Sequence, residues 1–273
     1  MRSSVRPFGE LLREWRERRR VSQLALAGDA EISTKHLSFL ETGRSAPSRE
    51  MVLRLARVLS VPLRERNALL YAAGFAPAFQ ERPLDDPALR TARRAVDLVL
   101  RGHEPYPALA VDRHWILLAA NDAVPPLLAG VAPELLVAPV NVLRLSLHPR
   151  GLAPRIRNLA QWRAHLLERL RRQIEVTADA KLGELLRELA DYPFPASAAG
   201  EEEPSEYGGV AVPLELATDD GVLSLLSTTT VFGTPVDVTV SELALESFFP
   251  ADEETSELLR GAAAKRRAGS AAA

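Results

Sequence analysis

The sequence predicts two domains: an all-α bundle of five helices, then an α+β domain built on a five-stranded antiparallel sheet. Three observations point there. Residues 1–80 break into five short runs of helical hydrophobic period, punctuated by Ser, Gly and Pro. Beyond residue 105 the chain opens and closes on short alternating strands with turn residues between them. Charge divides at the same place: residues 1–80 carry 14 Lys+Arg against 8 Asp+Glu, the remainder 20 against 28. A basic module fused to an acidic one assigns any polyanionic partner to the first.

At 273 residues and 47% hydrophobic composition there is material for two cores. Cysteine is absent, which excludes disulfides, thiolate zinc sites and a cysteine nucleophile. No apolar run approaches the ~18–20 residues that span a bilayer. Residues 1–10 lack the apolar centre of a signal peptide, so a soluble cytoplasmic protein with no membrane partner is expected.

The first helix is read over Phe8–Arg19, where Phe8, Leu11, Leu12 and Trp15 recur at helical spacing. Ser22 is a good N-cap for the second, with Leu24, Leu26 and Ala27 turned inward. Residues 29–32 make a tight turn, and Ser33 caps a third helix that runs to Thr42 and stops at Gly43. Pro47 and Ser48 start a fourth with Val52, Leu55 and Leu59 inside; Pro62 opens a fifth that ends at Gly74.

Two helices joined by a four-residue turn inside such a bundle have the layout of a helix-turn-helix. The segment "AEISTKHLSFLETGRSAPS" shows what the third helix is for. Leu37 and Leu40 form a buried stripe, while Ser33, Thr34, Lys35 and Ser38 occupy the other side and the N-terminal end. A recognition helix requires that division: its back packs on the bundle and its first side chains reach base edges in the major groove.

These residues carry a resemblance. "SQLALAGDAEISTKHLSFLETGRSAPS" resembles the Cro/CI-type helix-turn-helix family over about 65 residues, through Ser-Gln, a small-residue second helix, a polar opening to the third, Glu-x-Gly-Arg and Pro-Ser. The likeness implies that Gln23 and Arg44 contact the DNA backbone and that Thr34, Lys35 and Ser38 face bases, with Arg16 and Glu41 as a structural ion pair. Phe39 departs from the family's polar residue there, and either meets a thymine methyl or joins the core. One recognition helix covers few base pairs, so a homodimer on a double-stranded operator is expected.

Residues 81–104 read as a linker, "QERPLDDP" and a helix over Ala88–Arg101 whose Ala92, Ala95, Val96 and Val99 share a face. That helix is either a connector or a dimerisation surface. In residues 105–250, "YPALAVDRHWILLAAN" reads as two strands around Asp112–Arg113, followed by helices marked by Leu159, Trp162, Leu166 and Leu170 and by Leu182, Leu185, Leu186 and Leu189. Pro195–Gly209 reads as a surface loop. Strands are then expected over Val210–Ala217, Val222–Phe232 and Val236–Glu246, with turns at Asp219–Gly221 and Gly233–Pro235. A parity change near Ser241–Glu242 suggests a bulge in the last strand. Residues 251–273, ending "GAAAKRRAGSAAA", look like a disordered tail.

Two strands, several helices and a three-strand meander is the order of a PAS-like domain, whose sheet and covering helices can enclose an apolar cavity. Here too the chain resembles a family, the MmyB-like transcription regulators. The likeness lies in "PALAVDRHWILLAAN", "NVLRLSLHPRGLAPRIRNLAQWRAHLLERLRRQ" and "GTPVDVTVSELALESFFPADEET". It implies a regulator with a small hydrophobic ligand such as a fatty acid, and no other cofactor. The candidate ligand contacts are Trp115 and Trp162, which serve either as cavity wall or core, and Asn121, a turn residue or a polar contact. Arg155 and His165 on the helical cover would suit a carboxylate head group.

No His, Asp and Glu residues stand at metal-ligand spacing. A self-cleaving repressor would need a serine and a buried lysine behind the DNA domain. Outside residues 1–80 only Lys181 and Lys265 exist, each expected in solvent, so no enzyme and no catalytic residue is read. The remaining alternative is a regulator whose second domain only dimerises or binds protein.

Overall fold

A computed structural model describes residues 6–193, 212–232 and 237–271. The chain divides into two compact units, Met1–Pro83 with Thr234–Ser241, and Leu84–Gly233 with Glu242–Ala273.

The first unit contains α1 (Phe8–Arg18), α2 (Gln23–Asp29), α3 (Thr34–Glu41), α4 (Arg49–Val58) and α5 (Leu63–Ala72). Ser22, Ser33 and Ser48 each cap a helix, accepting from the amides of Ala25, His36 and Met51 at 3.1–3.2 Å. Leu12, Leu26, Leu37, Leu40, Leu55, Leu69 and Leu70 form the core. Where α1 crosses the end of α3, a Cβ on Gly9 would sit 2.5 Å from the carbonyl oxygens of Leu40 and Glu41, so only glycine fits. Leu24 corrects the sequence reading: it is 73% exposed, because Leu26, Ala27 and Ala30 take the inner side of α2 and its far end.

After α5 the chain is pinned. The Asn67 side chain donates to the Phe79 carbonyl at 2.7 Å and accepts from the amides of Ala78 and Phe79 at 2.9 and 3.1 Å. Gln80 then pairs with Asp237 in a parallel bridge, and the Val238 amide donates to the Gln80 carbonyl at 2.8 Å. Where a strand is expected over Val236–Glu246, the described residues form α10 (Val238–Ser241) and only from Ala244 a strand, β5 (Ala244–Pro250). The buried Asp237 accepts from the Thr239 amide at 2.9 Å and the Ser241 hydroxyl donates to the Val238 carbonyl at 2.6 Å. Those local bonds close a helical turn that the Val236, Val238, Val240 alternation conceals.

In the second unit a turn of 3-10 helix at Pro87–Leu89 leads into α6 (Arg90–Gly102). There follow β1 (Ala108–Val111), β2 (Leu117–Ala120), α7 (Val142–Leu147), α8 (Leu159–Thr177) and α9 (Ala180–Ala190). Next come β3 (Leu214–Thr218), β4 (Gly221–Val231), β5 and α11 (Glu253–Ala271). The five strands form one antiparallel sheet in the order β2-β1-β5-β4-β3, the PAS-like architecture expected, with β5 at its centre. Val96 and Leu100 of α6 cover Ala108, Ala110 and Leu245 on one face. Leu98 and Val99 of α6 stay exposed. On the other face Leu109, Leu214, Leu216 and Leu225 join Trp162, Leu166, Leu170 and Leu182 of α8 and α9.

The segment expected as a disordered tail is α11. Its Leu259 and Ala263 are buried, and Thr255 accepts from the Ser224 amide at 2.9 Å. Its run of Ala, Lys and Arg looks like low complexity but consists of strong helix formers. The loop read at Pro195–Gly209 and the turn at Gly233–Pro235 lie outside the described residues.

Candidate DNA-binding surface and ligand cavity

In the first unit α2 ends at Asp29, residues 30–33 turn through Glu31 in the left-handed region (φ 56°), and α3 begins. Leu37 and Leu40 hold α3 to the bundle with almost no exposed surface. Ser33, Thr34 and Lys35 are exposed at its N-terminal end, and Ser38 is half-buried one turn on. Arg44 is exposed just past Gly43, whose φ of 71° turns the chain out of the helix. Phe39 is half-buried with two cations near its ring: the Lys35 ammonium lies 5.6 Å and the Arg44 guanidinium 5.9 Å from its centre.

Beneath this surface Arg16 grips both carboxylate oxygens of Glu41, at 2.6 and 3.0 Å. The hydrogen bond to Glu41 raises the Arg16 pKa above its ordinary value against the opposing effect of burial. Gln23, expected on a phosphate, donates one N–H of its side-chain amide to Glu41 at 2.7 Å, which leaves the second N–H of that group for another acceptor. Its carbonyl oxygen is an acceptor and offers nothing to an anion.

The second unit holds a cavity of about 100 Å³ between the sheet and α7 and α8. Leu109, Leu117, Val124, Leu143, Leu166, Leu216 and Phe248 give it an apolar wall, and Trp115 and Trp162 also line it. The Trp162 indole donates to the Ser146 hydroxyl at 2.8 Å. Trp115 sits at φ 66°, a costly conformation for a bulky residue, and its surroundings hold it there. The Asp112 carboxylate accepts from the amides of His114 and Ile116 at 2.8 and 2.9 Å; Gln173 takes the indole N–H at 2.8 Å and donates to the Arg113 carbonyl at 2.9 Å.

Among the described residues four polar ones reach the cavity: Ser146, Ser227, Arg169 and Glu246. Arg169 of α8 donates to Glu246 of β5 at 3.0 and 2.5 Å and to the Thr229 hydroxyl at 2.5 Å. Its guanidinium lies 4.5 Å from the centre of the Trp115 ring. The Glu246 side chain is only 4% exposed.

The other three expected ligand contacts stand elsewhere. Asn121 accepts from the Ala108 amide at 3.1 Å and donates to the carbonyls of Leu100 and Tyr106 at 3.1 and 2.8 Å, tying β1 to the end of α6. Arg155 donates to the Leu127 carbonyl. His165 stacks on the outer side of Trp162 with ring centres 5.6 Å apart. Burial, then the nearby Arg169 and Arg172, hold its pKa below the ordinary histidine value. The sequence reading missed Arg169, one of several arginines in "LLERLRRQ", and Glu246, taken as the end of a strand. The only available signal was a glutamate within the apolar run "LALESFF".

Lys181 and Lys265 are both exposed, so neither offers the buried neutral amine of a Ser–Lys peptidase. Among the described residues no cluster of three or more His, Asp or Glu could hold a metal, and no helix is long and apolar enough to cross a membrane.

Comparison with protein families gives two matches. A family model for the MmyB-like transcription regulator ligand binding domain matches residues 92–262, and one for a helix-turn-helix domain matches residues 7–69. No curated protein matches the chain.

Proposed function

Because the chain belongs to the MmyB-like transcription regulators, we propose that its cavity senses a small hydrophobic ligand and thereby sets its affinity for a DNA operator. The ligand we assign is a single-chain lipid, and the protein acts in the cytoplasm as a homodimer on a two-fold site. The observation that carries this reading is the apolar cavity between sheet and helices in the second unit. Its volume is below the ~300–1,000 Å³ of common ligand sites, so a short chain fits it as it stands and a long one widens it.

At the DNA, Thr34, Lys35 and Ser38 read base edges while Ser33 holds the end of α3 and Arg44 neutralises a phosphate. Gln23 gives one amide N–H to Glu41 and offers the second to the DNA backbone. The exposed Leu98 and Val99 of α6 suit a dimer contact.

Coupling can run through the chain itself. β4 and β5 supply Ser227, Glu246 and Phe248 to the cavity wall, and the segment between them, residues 237–241, folds with the helical unit. There the Thr239 hydroxyl donates to the Arg82 carbonyl at 2.5 Å and Arg82 pairs with Asp237 at 3.4 Å. A ligand shifts such a system only by binding its two arrangements with different affinity. Mass spectrometry of an organic extract from natively purified protein tests the sensor reading. A lipid in stoichiometric amount supports it. If the extract is empty and added single-chain lipids do not bind, the second domain is a dimerisation or protein-binding module.

A further inference from the structure

The polar end of the cavity is a charge pair, and a charge pair selects its ligand. Glu246 lies on the central strand, in register with Leu109 of β1 and Thr229 of β4, so it points into the same apolar face as they do. A carboxylate buried there is costly unless fully paired. Arg169 pairs it with both outer nitrogens, at 3.0 and 2.5 Å. The Thr229 hydroxyl adds a contact to Glu246 at 2.9 Å, and the guanidinium carbon lies over the Trp115 ring, 4.5 Å from its centre.

Resting on the reading of this cavity as a lipid site, we propose that the ligand's head group is uncharged: an amide, alcohol, aldehyde or ester of a fatty chain rather than the free fatty acid anion. A carboxylate arriving beside Arg169 finds that cation already neutralised by Glu246. Two carboxylates would then share one cation, with the Glu246 side chain only 4% exposed and Arg169 24% exposed, and their mutual repulsion disfavours both being ionised. Displacing Glu246 instead would leave a buried anion unpaired, the costliest outcome for such a pair. A cationic head meets the converse problem at Arg169. A neutral head needs only hydrogen bonds, and these remain on offer. The guanidinium has N–H groups not spent on Glu246 or Thr229, the carboxylate has free lone pairs, and Ser227 also lines the cavity. The Ser146 oxygen accepts from Trp162, which leaves its own hydrogen to give to a carbonyl.

The test is calorimetric titration of the full-length protein at about pH 8, where a carboxylic acid is ionised. The probes are decanoate, its neutral isostere decanamide, and decanol. Decanamide and decanol are expected to bind on the order of tenfold tighter than decanoate, the factor that about 1.4 kcal/mol of unpaired charge produces. Glu246→Gln keeps the shape, removes the anion and leaves Arg169 unbalanced, so the ratio should swing toward decanoate by a similar factor. If that variant does not fold, the comparison of isosteres on the unaltered protein still decides. Decanoate binding as tightly as decanamide, or tighter, overturns the neutral-head assignment and leaves the lipid sensor standing. If none of the three binds, the sensor reading fails and the head-group proposal falls with it.

Discussion

Arg16 on α1 and Glu41 at the end of α3 form a two-point ion pair, 2.6 and 3.0 Å, with the Glu41 side chain 2% exposed. The pair fixes the recognition helix to the first helix from behind, and Gln23 adds the start of α2 at 2.7 Å. Replacing Arg16 by Ala leaves a buried carboxylate with one neutral donor. The expected loss is about 3 kcal/mol of helical-domain stability, read from denaturant unfolding. A loss under about 0.5 kcal/mol would mean that the pair is solvated and does not position α3.

Gly9 gives a prediction whose sign depends on magnitude. On an exposed helix Gly→Ala gains about 1 kcal/mol. Here the new Cβ would lie 2.5 Å from two backbone carbonyl oxygens, which cannot swing aside as a side chain does. Forced separation of packed elements costs about 1–3 kcal/mol, so Gly9→Ala should lower the melting temperature. A rise would show that α1 and α3 approach less closely than described.

Lys35 and Arg44 are exposed and should separate by their effects on DNA. Lys35→Ala should cost about 1–3 kcal/mol on the preferred operator and little on random DNA, as befits a base contact. Arg44→Ala should weaken both alike and reduce the slope of log affinity against log salt by about 0.9. Identical behaviour of the two variants would remove Lys35 from the reading surface.

His165 makes the second domain sensitive to acid. Its imidazole is held below 6.5, first by burial and then by Arg169 and Arg172, so the folded chain resists a proton that the unfolded chain accepts. Above that pH the residue contributes no penalty. Stability falls as pH drops below it, because the unfolded state binds more protons. His165→Phe keeps a ring against Trp162 and should reduce the loss of melting temperature between about pH 7.5 and about pH 5.5. An undiminished loss would assign the acid sensitivity to other groups.

The helical domain was legible because its signals are local. Ser22, Ser33 and Ser48 announce helix starts, Gly43 announces an end, and Leu37 with Leu40 marks the inner side of α3. Leu24 escaped because a seven-residue helix presents too few turns to fix its inward face by period alone. The α+β domain was legible in its strand order but not in its polar contacts. Arg169 and Glu246 meet across 77 residues of sequence, and no period or spacing joins them. Asn121 shows the converse: it looks like a site residue because it is polar beside a cavity-forming strand, yet all its bonds go to backbone. α10 was hidden by β-branched residues whose preference was overridden by the side chains of Asp237 and Ser241.

The central claim is that occupation of the cavity governs the grip of α3 on DNA, and one measurement meets it directly. Operator affinity, on a site selected from random-sequence DNA, would be measured by fluorescence anisotropy with and without a saturating amount of the tightest of the decyl ligands. A change of about fivefold or more in either direction is the predicted result, corresponding to about 1 kcal/mol of coupling. Equal affinity with the cavity full and empty would contradict it.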